Sequence, residues 1–545
     1  MTAIPSSDSP PRSFRLRSMA RISPRLLSRL GTLGDGALLA ALAWVHLLFA
    51  KPFLWGPIGF DEQFFLYEGF SLGKGAVPYR DFQEFKPPLL FLLNMLAVKI
   101  FGVQEMRFRM FFLLLSLVTF LVLAVALRSR QVPRLVILAA EALMLNNLLD
   151  GNFLQYSTMN TAEAPGVWFF ILGVSVLILR PDPGRSERFR RWQHRIGGVL
   201  LALAPLSKEP FAVPTLLAWG GVILLAGIDA PPESAPRVRR QLAKDTALAA
   251  ASVAGLWLLY MLVTRSLGAY LVNLRETMVY AAEHDIMYGV FPKLGFWDGL
   301  VESWKRIHGT YVNAAYLAVY VPYFLAALLL WPRRPLLVAA AVVATFLGAT
   351  YAVTIGHGFF GHYFLILMTG VFFAALIGCA AIGERQSELP PAWRGWLTLA
   401  LGLMAFFALQ PRFDRDEPGW AVHARLPVSD KLVSLVRSRT KPDDRIWTVG
   451  MPMINIVADR RAASRIPYIH DSLLHLYAGR TTAEKLAPFR QELDRKLPKL
   501  VILDEGRSGR EQHMDVLVTP FLRDHGYRLI TGPAAAEVPV YERPN

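Results

Sequence analysis

Two short stretches near the start of the chain bring acids, an amine and aromatic rings into close spacing: Gly59-Phe-Asp-Glu-Gln-Phe-Phe-Leu-Tyr-Glu-Gly and Pro78-Tyr-Arg-Asp-Phe-Gln-Glu-Phe-Lys-Pro-Pro-Leu. Asp61 and Glu62 directly follow a long apolar run. If that run crosses a bilayer they sit at headgroup depth, where partial desolvation raises a carboxyl's pKa toward that of a useful base. Lys86 opens a second apolar stretch, and its ammonium would stand beside lipid phosphates as a compact point charge. A carboxylate base and a phosphate-binding cation at a bilayer surface suit transfer of a sugar from a lipid phosphate to an acceptor hydroxyl. The same residue types equally suit a plain external loop, because runs of charge are usually solvated surface.

Positioning such groups calls for membrane helices, and the composition supplies them. Of 545 residues 53% are hydrophobic and 18% charged, and the apolar residues fall in long runs. Residues 107–127, 335–353 and 361–382 are almost free of charge. Each is long enough to cross a hydrocarbon core of roughly 30 Å at about 1.5 Å per residue. The net charge of +16 would suggest nucleic acid on a soluble protein. Here the arginines cluster in short stretches between apolar runs, as cytoplasmic loops do, and no nucleic-acid partner is expected. Cys379 is the single cysteine, so neither an intrachain disulfide nor a cysteine metal cluster can form.

Residues 1–32 are polar and arginine-rich and read as a cytoplasmic tail before a retained helix, not as a signal peptide. The first span, about 33–54, then delivers residues 55–86 to the outer side. Treating Pro87–Gly102 as a further span would place every later arginine cluster outside. The segment has 16 residues and carries Lys99, which fits a helix lying in the outer interface. The remaining spans follow at about 106–127, 133–149, 161–180, 196–206, 209–228, 245–263, 312–331, 335–354, 360–382 and 395–411, about eleven in all. The sequence thus predicts a polytopic α-helical membrane domain over 33–411, with interfacial helices and an external first loop spanning 55–105. Residues 412–545 are charged and proline-punctuated and read as a small α/β domain outside the membrane. In it Ser429 is placed as a helix N-cap, with short strands at Arg445–Val449, Leu500–Leu503 and Val538–Tyr541 and helices near 482–496 and 513–524. The predicted location is a bacterial inner membrane, with the N-terminus cytoplasmic and the C-terminal domain periplasmic.

This topology gathers polar residues at the outer interface. Besides the first loop they are Glu163 at the head of a span, Lys208 and Glu209 in a proline-flanked turn, Arg275, Glu283, His284 and Asp285 in the loop 264–311, and His357 and His362 before a late span. A transporter or flippase of lipid-linked saccharides would place ionisable groups near the midplane instead. Glu141 is the one clear intramembrane carboxylate. A non-catalytic glycolipid binder is a third alternative.

Taken together, Asp61-Glu62, Gly-x-x-Pro-Tyr-Arg-Asp-Phe and Lys86-Pro-Pro-Leu resemble the first external loop of the dolichyl-phosphate-mannose-protein mannosyltransferase-like superfamily of GT-C glycosyltransferases. That superfamily includes the bacterial lipid A aminoarabinose transferase. Asn160-Thr-Ala-Glu-Ala-Pro, Leu206-Ser-Lys-Glu-Pro and His357-Gly-Phe-Phe-Gly-His-Tyr match in the same order, and Asp443-Asp-Arg-Ile with a later Asp459-Arg-Arg resembles the tail of bacterial members. The resemblance implies a GT-C fold and an inverting enzyme of the cell envelope that uses a polyprenyl-phosphate sugar. Its acceptor would be a glycan, a lipid or a protein. Asp61 would be the catalytic base, with Glu62 and Glu163 as further acids. Lys86 and Lys208 would approach the donor phosphate, and Arg275 would bind that phosphate or a neighbouring acid. Tyr67, Tyr79, Arg80, Asp81, Glu209, His362 and Tyr363 would contact substrate. Some relatives hold a divalent metal near the equivalents of Glu84 and a loop histidine, here His284. In this chain Phe85 separates Glu84 from Lys86, where those relatives have acid and lysine adjoining.

Overall fold

The computed structural model describes residues 24–55, 60–84, 86–104, 107–148, 160–180, 185–226, 231–275, 315–330, 335–355, 363–385, 428–450, 452–465, 482–503, 514–531 and 538–544, with a few short stretches between them. The apolar part is helical: α1 (Pro24–Trp55), α2 (Phe60–Gly73), α3 (Leu89–Phe101), α4 (Arg109–Ser129), α5 (Arg134–Leu148), α6 (Glu163–Ile178), α7 (Glu187–Leu203), α8 (Ala212–Leu225), α9 (Ala235–Val263), α10 (Ala315–Leu330), α11 (Pro335–Ile355) and α12 (Phe364–Arg385). Among the described residues, five segments are long and apolar enough to cross a membrane: Gly31–Ala50, Arg109–Ser129, Ala235–Val263, Pro335–Val353 and Phe364–Arg385. The bundle is built around α12, buried from Phe364 to Gly383 against α10, α11, α6 and α5. By contrast α9 leaves Leu256, Leu259, Leu262 and Val263 on the surface, an apolar exterior suited to lipid contact. The expected span at 196–206 is the latter half of α7, and Pro205 and Pro210 frame the break before the 3-10 turn Glu209–Phe211 that leads into α8.

Ion pairs between helix termini define two ends of the bundle. At one end Asp35 of α1 meets Arg128 at the close of α4 and Arg134 at the start of α5, at 2.9 and 2.7 Å. Arg130 there reaches Glu384 at the end of α12 and the Ile178 carbonyl at the end of α6. At the other end Glu62 of α2 meets Arg109 at the start of α4, and Glu163 at the start of α6 meets Lys208 just beyond α7. α3 does not travel between these ends. Its 13 residues rise only about 20 Å. Its first N–H, from Leu89, donates to the Leu206 carbonyl at 3.1 Å. Asn94, midway along it, pairs with Asn160 at the head of α6. The chain then enters α4 beside Glu62, at the end where α1 left off. Close approach of α2 and α3 depends on Gly69, where a Cβ would lie 2.5 Å from the Met95 nitrogen.

Residues from 430 onward form a five-stranded sheet with helices on both faces. Its order is β2 (Arg461–Ala462), β1 (Arg445–Val449), β3 (Leu500–Leu503), β5 (Val540–Glu542), β4 (Arg528–Thr531), with β2, β1 and β3 parallel and β5 antiparallel to both its neighbours. Alternation along β1 and β3 sends Ile446, Leu500 and Ile502 to one face and Trp447, Val449, Val501 and Leu503 to the other. The first face is covered by α13 (Asp430–Arg439) and α14 (Met453–Ala458), the second by α15 (Thr482–Lys496) and α16 (Thr519–Asp524). Both central strands are thus buried on two sides, which explains the unbroken apolar run of β3 and, in β1, a Thr448 whose hydroxyl donates to Asn455 Oδ1 at 2.7 Å. Ser429 caps α13 as expected, its hydroxyl accepting from the Leu432 N–H at 3.2 Å.

Candidate active site

Four separate stretches supply a cluster of charge at the end of the bundle where α4 and α6 begin. α2 contributes first. Asp61 and Glu62 occupy its first turn, where the helix dipole favours carboxylates. Neighbours on a helix point about 100° apart, and these two acids have different fates. Glu62, expected as a catalytic acid, is held in a buried bidentate pair by Arg109, with Nε–Oε1 at 2.9 Å and Nη2–Oε2 at 2.6 Å. Its side chain is 0% exposed. Asp61 is half-buried and makes no hydrogen bond or ion pair among the described residues. Two turns further along the same face stands Glu68, which the motif reading left without a role. It is fully buried, and neither carboxylate oxygen has a hydrogen-bond partner among the described residues. Burial, and then the neighbouring Glu84 carboxylate, push its pKa well above the ordinary glutamate range.

The second stretch is 78–86. Lys86 Nζ lies 3.6 Å from Glu84 Oε1, which also accepts from the Lys86 N–H at 3.1 Å. Burial opposes the Lys86 ammonium, but Glu84, with Tyr363, Asp61 and Glu163, outweighs it and holds the pKa above the usual lysine value. The backbone here is fixed from three sides. Tyr79, in the left-handed region at φ 66°, donates its hydroxyl proton to the Lys86 carbonyl at 3.0 Å. Asn273 donates to the Glu84 carbonyl, and the Gln83 N–H donates to the Arg465 carbonyl at 3.1 Å. The Tyr79 ring is buried against Phe91, Trp257 and Tyr270. Arg80 and Asp81 form an exposed bidentate pair, both contacts at 2.9 Å, and Arg80 also reaches the Thr264 carbonyl.

The third and fourth stretches are the head of α6 and the turn 204–211. Lys208 forms a buried ion pair with Glu163 and stands over the Tyr363 ring at 3.4 Å from its centroid. The turn lies this close to α6 because residue 166 is glycine. A Cβ there would stand 2.5 Å from Ser207 Oγ and would also collide with the Phe211 ring. Glu209 faces the same cluster while keeping contact with solvent. Crowding by protein raises its carboxyl pKa, against the lowering effect of Lys86 and Lys208. Of the other expected contacts, Tyr67 is buried and bonded to the Ala462 N–H. Arg275 is exposed and forms no ion pair among the described residues. His284 and His362 lie outside the described residues.

Glu84 was also expected beside a metal. Its Oε1 is engaged by Lys86 and the buried Glu68 carboxyl stands beside it, while His284, the expected partner, lies outside the described residues. No group of three or more metal-capable side chains gathers among the described residues.

No family model and no curated protein matches the sequence. Among solved structures, the chain is similar to the archaeal oligosaccharyltransferase AglB from Archaeoglobus fulgidus in complex with an inhibitory peptide and a dolichol-phosphate, at 12% identity and a TM-score of 0.46 over 95% of this chain and 75% of that one. It is similar to ArnT from Cupriavidus metallidurans bound to undecaprenyl phosphate, at 12% identity and a TM-score of 0.46 over 93% and 98%. To the same ArnT in the apo state it has 12% identity and a TM-score of 0.48 over 94% and 98%.

Proposed function

We propose that the chain is an inverting membrane glycosyltransferase that moves a sugar from a polyprenyl-phosphate donor to an acceptor hydroxyl. The observation that carries this reading is the convergence of an unpaired carboxylate, Asp61, with the Lys86 ammonium and the Lys208–Glu163 pair at one end of the bundle. In the proposed step the acceptor oxygen attacks the anomeric carbon from the face opposite the phosphate and passes its proton to Asp61. The new carbon–oxygen bond forms as the bond to the phosphate oxygen breaks, and polyprenyl phosphate departs with the electron pair. Lys86 and Lys208 stabilise the charge growing on that phosphate, partly exchanging their carboxylate partners for it. Glu163 orients Lys208, and Glu62 is assigned a structural part because Arg109 engages both its oxygens. Tyr67, Tyr79, Arg80 and Asp81 shape the loop. Arg275, Glu209, His362 and Tyr363 are assigned to substrate. No step is routed through a metal, and Glu84 is assigned to holding Lys86.

We further propose eleven spans in a bacterial inner membrane, with the α1 start cytoplasmic and the cluster and the sheet of 412–545 on the periplasmic side. The pairing of helix termini at two ends supports this, as does the return of α3 to the end from which it starts. The deciding experiment supplies the purified protein in proteoliposomes with a radiolabelled polyprenyl-phosphate sugar and an envelope extract as acceptor. Label should pass from the prenyl phosphate to an acceptor in the wild type and not in Asp61→Asn. Donor that stays intact, or that merely changes leaflet, would refute the reading. Mass spectrometry of envelope glycans from a deletion strain would then identify sugar and acceptor.

A further inference from the structure

We propose that the basic surface where α7 and α9 start binds the phosphate headgroups of anionic phospholipids, at the end of the bundle remote from Asp61 and Lys86. α7 runs from Glu187 to Leu203 and leads straight into the turn holding Lys208. Its 17 residues separate the two ends by about 25 Å. α9 lies alongside in the same direction. Arg237 near its start is close enough to Glu187 to lower that carboxyl's pKa. Thr264, just past its finish, accepts from Arg80 of the loop beside the proposed active site. Midway, Gly198 abuts the Thr246 backbone, where a Cβ would stand 2.6 Å from the carbonyl oxygen.

Residues 185–195 and 233–245 carry nine Lys and Arg against three Asp and Glu. The three acids leave most of that charge unanswered. Glu187 pairs with Arg191 at 2.7 Å on the surface. Asp245 is buried between the helices, accepting from Gln241 at 2.7 Å, with His194 at 3.5 Å and Arg195 at 4.0 Å. Exposed Arg188 and Arg190 pair with no carboxylate among the described residues. Arg239 is the telling case. Its Nε and Nη2 are shut off from solvent and have no hydrogen-bond partner among the described residues, and the same holds for Arg195 Nε. A guanidinium withdrawn from water without an acceptor is costly. A lipid phosphate seated on this surface, with the Arg239 side chain turned out toward it, would supply the acceptor.

The surroundings indicate which anion. Phe189, Trp192 and Ile196 project from α7 with 39%, 53% and 49% of their surface exposed. Arg185 lies over the Phe189 ring at 5.1 Å and Arg195 over the Trp192 ring at 5.6 Å. Aromatic and aliphatic groups interleaved with cations suit the headgroup layer, where rings sink among acyl chains and guanidinium groups stay with phosphates. A soluble acidic partner would answer the charge and leave Trp192 and Ile196 unexplained. Gln193, which donates to the Val176 and Leu179 carbonyls at 2.7 and 2.6 Å, moors this part of α7 to α6 and so fixes the surface from which these side chains project.

The test uses the full chain in phosphatidylcholine vesicles containing brominated phosphatidylglycerol or, at equal bromine, brominated phosphatidylcholine. Trp192 emission is isolated by subtracting the Trp192→Phe protein. Brominated phosphatidylglycerol should quench it at several-fold lower mole fraction than brominated phosphatidylcholine. Each of Arg190→Gln and Arg239→Gln should reduce that preference by about fivefold, the effect of one basic residue near an anionic surface, while Arg239→Lys retains most of it. If Arg239→Gln does not fold, the exposed Arg190→Gln carries the test alone. Equal quenching by the two lipids would overturn the proposal. So would a preference unchanged in Arg190→Gln, or one abolished by millimolar inorganic phosphate, which would mark a site for free anions.

Discussion

The Tyr67 hydroxyl accepts a hydrogen bond from the Ala462 N–H at 2.8 Å, across 395 residues of sequence. It joins the helix that carries Asp61 to the edge strand of the C-terminal sheet. Further contacts bracket the same junction: the Gln83 N–H on the Arg465 carbonyl, Arg461 on the Lys74 carbonyl, and Lys74 with Asp459 at 2.7 Å. These contacts differ in worth. Lys74 and Asp459 are 42% and 50% exposed, and such pairs contribute about 0–1 kcal/mol. The Tyr67 bond is buried, and a buried N–H left without an acceptor costs about 1–3 kcal/mol. Tyr67→Phe should therefore lower the melting temperature and reduce transfer, whereas Lys74→Ala should leave both near wild type. Thermal unfolding monitored in detergent, beside a transfer assay, separates the two. Equal behaviour of the variants would show that the sheet edge does not steady α2.

Asp61 and Glu62 are sequence neighbours with opposite expected phenotypes. Asp61→Asn changes an acid with no partner to lose, so the protein should fold normally while transfer drops by about 10²–10⁴, the usual worth of a positioned base. Glu62→Gln leaves Arg109 buried with half a partner, and breaking such a pair costs about 3–5 kcal/mol. Its main effect should be poor accumulation in the membrane and a lowered melting temperature. Size-exclusion profiles and transfer rates at matched protein concentration decide the matter. A well-folded, inactive Glu62→Gln would return Glu62 to the chemistry.

The Lys208–Glu163 pair lets structure and catalysis be separated. Lys208→Met alone strands a buried carboxylate and should destabilise by about 3–5 kcal/mol. Adding Glu163→Gln removes that charge, so the double variant should recover most of the stability. Transfer should stay lost, because neither Met nor Gln can answer the charge on a departing phosphate. The readouts are a melting curve and the donor dependence of the rate. Transfer recovering together with stability would make Lys208 a structural residue.

Much of this arrangement is legible in the sequence where the signal is local. Ser429 before a helical run, the short strands at 445–449 and 500–503, and the brevity of 89–101 all follow from spacing and side-chain type within a few residues. So does the set of acids and lysines Asp61, Glu163, Lys86 and Lys208, which collects at one end of the bundle because each member lies at or near a helix start. Partner choice was not legible. Glu62 reads like Asp61 until Arg109, 47 residues on, claims both its oxygens. Asn94 looks like a stray polar residue in an apolar helix until Asn160, 66 residues on, returns both its hydrogen bonds. Tyr67 and Tyr79 are substrate contacts only by what the resemblance implies, and nothing local marks them as buried. Their burial depends on the sheet and on α9, elements that come much later in the chain. For Glu68 a usable signal existed: seven residues from Asp61, it shares that residue's helical face.

Glu68 gives the molecule a pH dependence whose direction follows from its surroundings. Its ordinary value is 4.5, and burial together with Glu84 raises it in the folded protein. Between those two values the folded chain holds a proton that the unfolded chain has released. Stability from this group is therefore complete below about pH 4.5 and is lost as pH rises through the folded value. Glu209, also raised, adds a change of the same sign. Asp81 works oppositely: burial is outweighed by Arg80, its pKa is lowered, and its contribution disappears only on acidification. Lys86, raised above the usual lysine value, contributes uniformly across this window. Glu68→Gln, an uncharged near-isostere, should therefore match the wild type near pH 4 and exceed it in melting temperature at pH 7–8, leaving the smaller slope due to Glu209. Melting curves of both proteins from pH 4 to 8, at constant ionic strength and detergent, test this. Parallel curves would mean that Glu68 is ionised in the fold and that an unseen cation neutralises it, which would reopen the question of a bound metal beside Glu84.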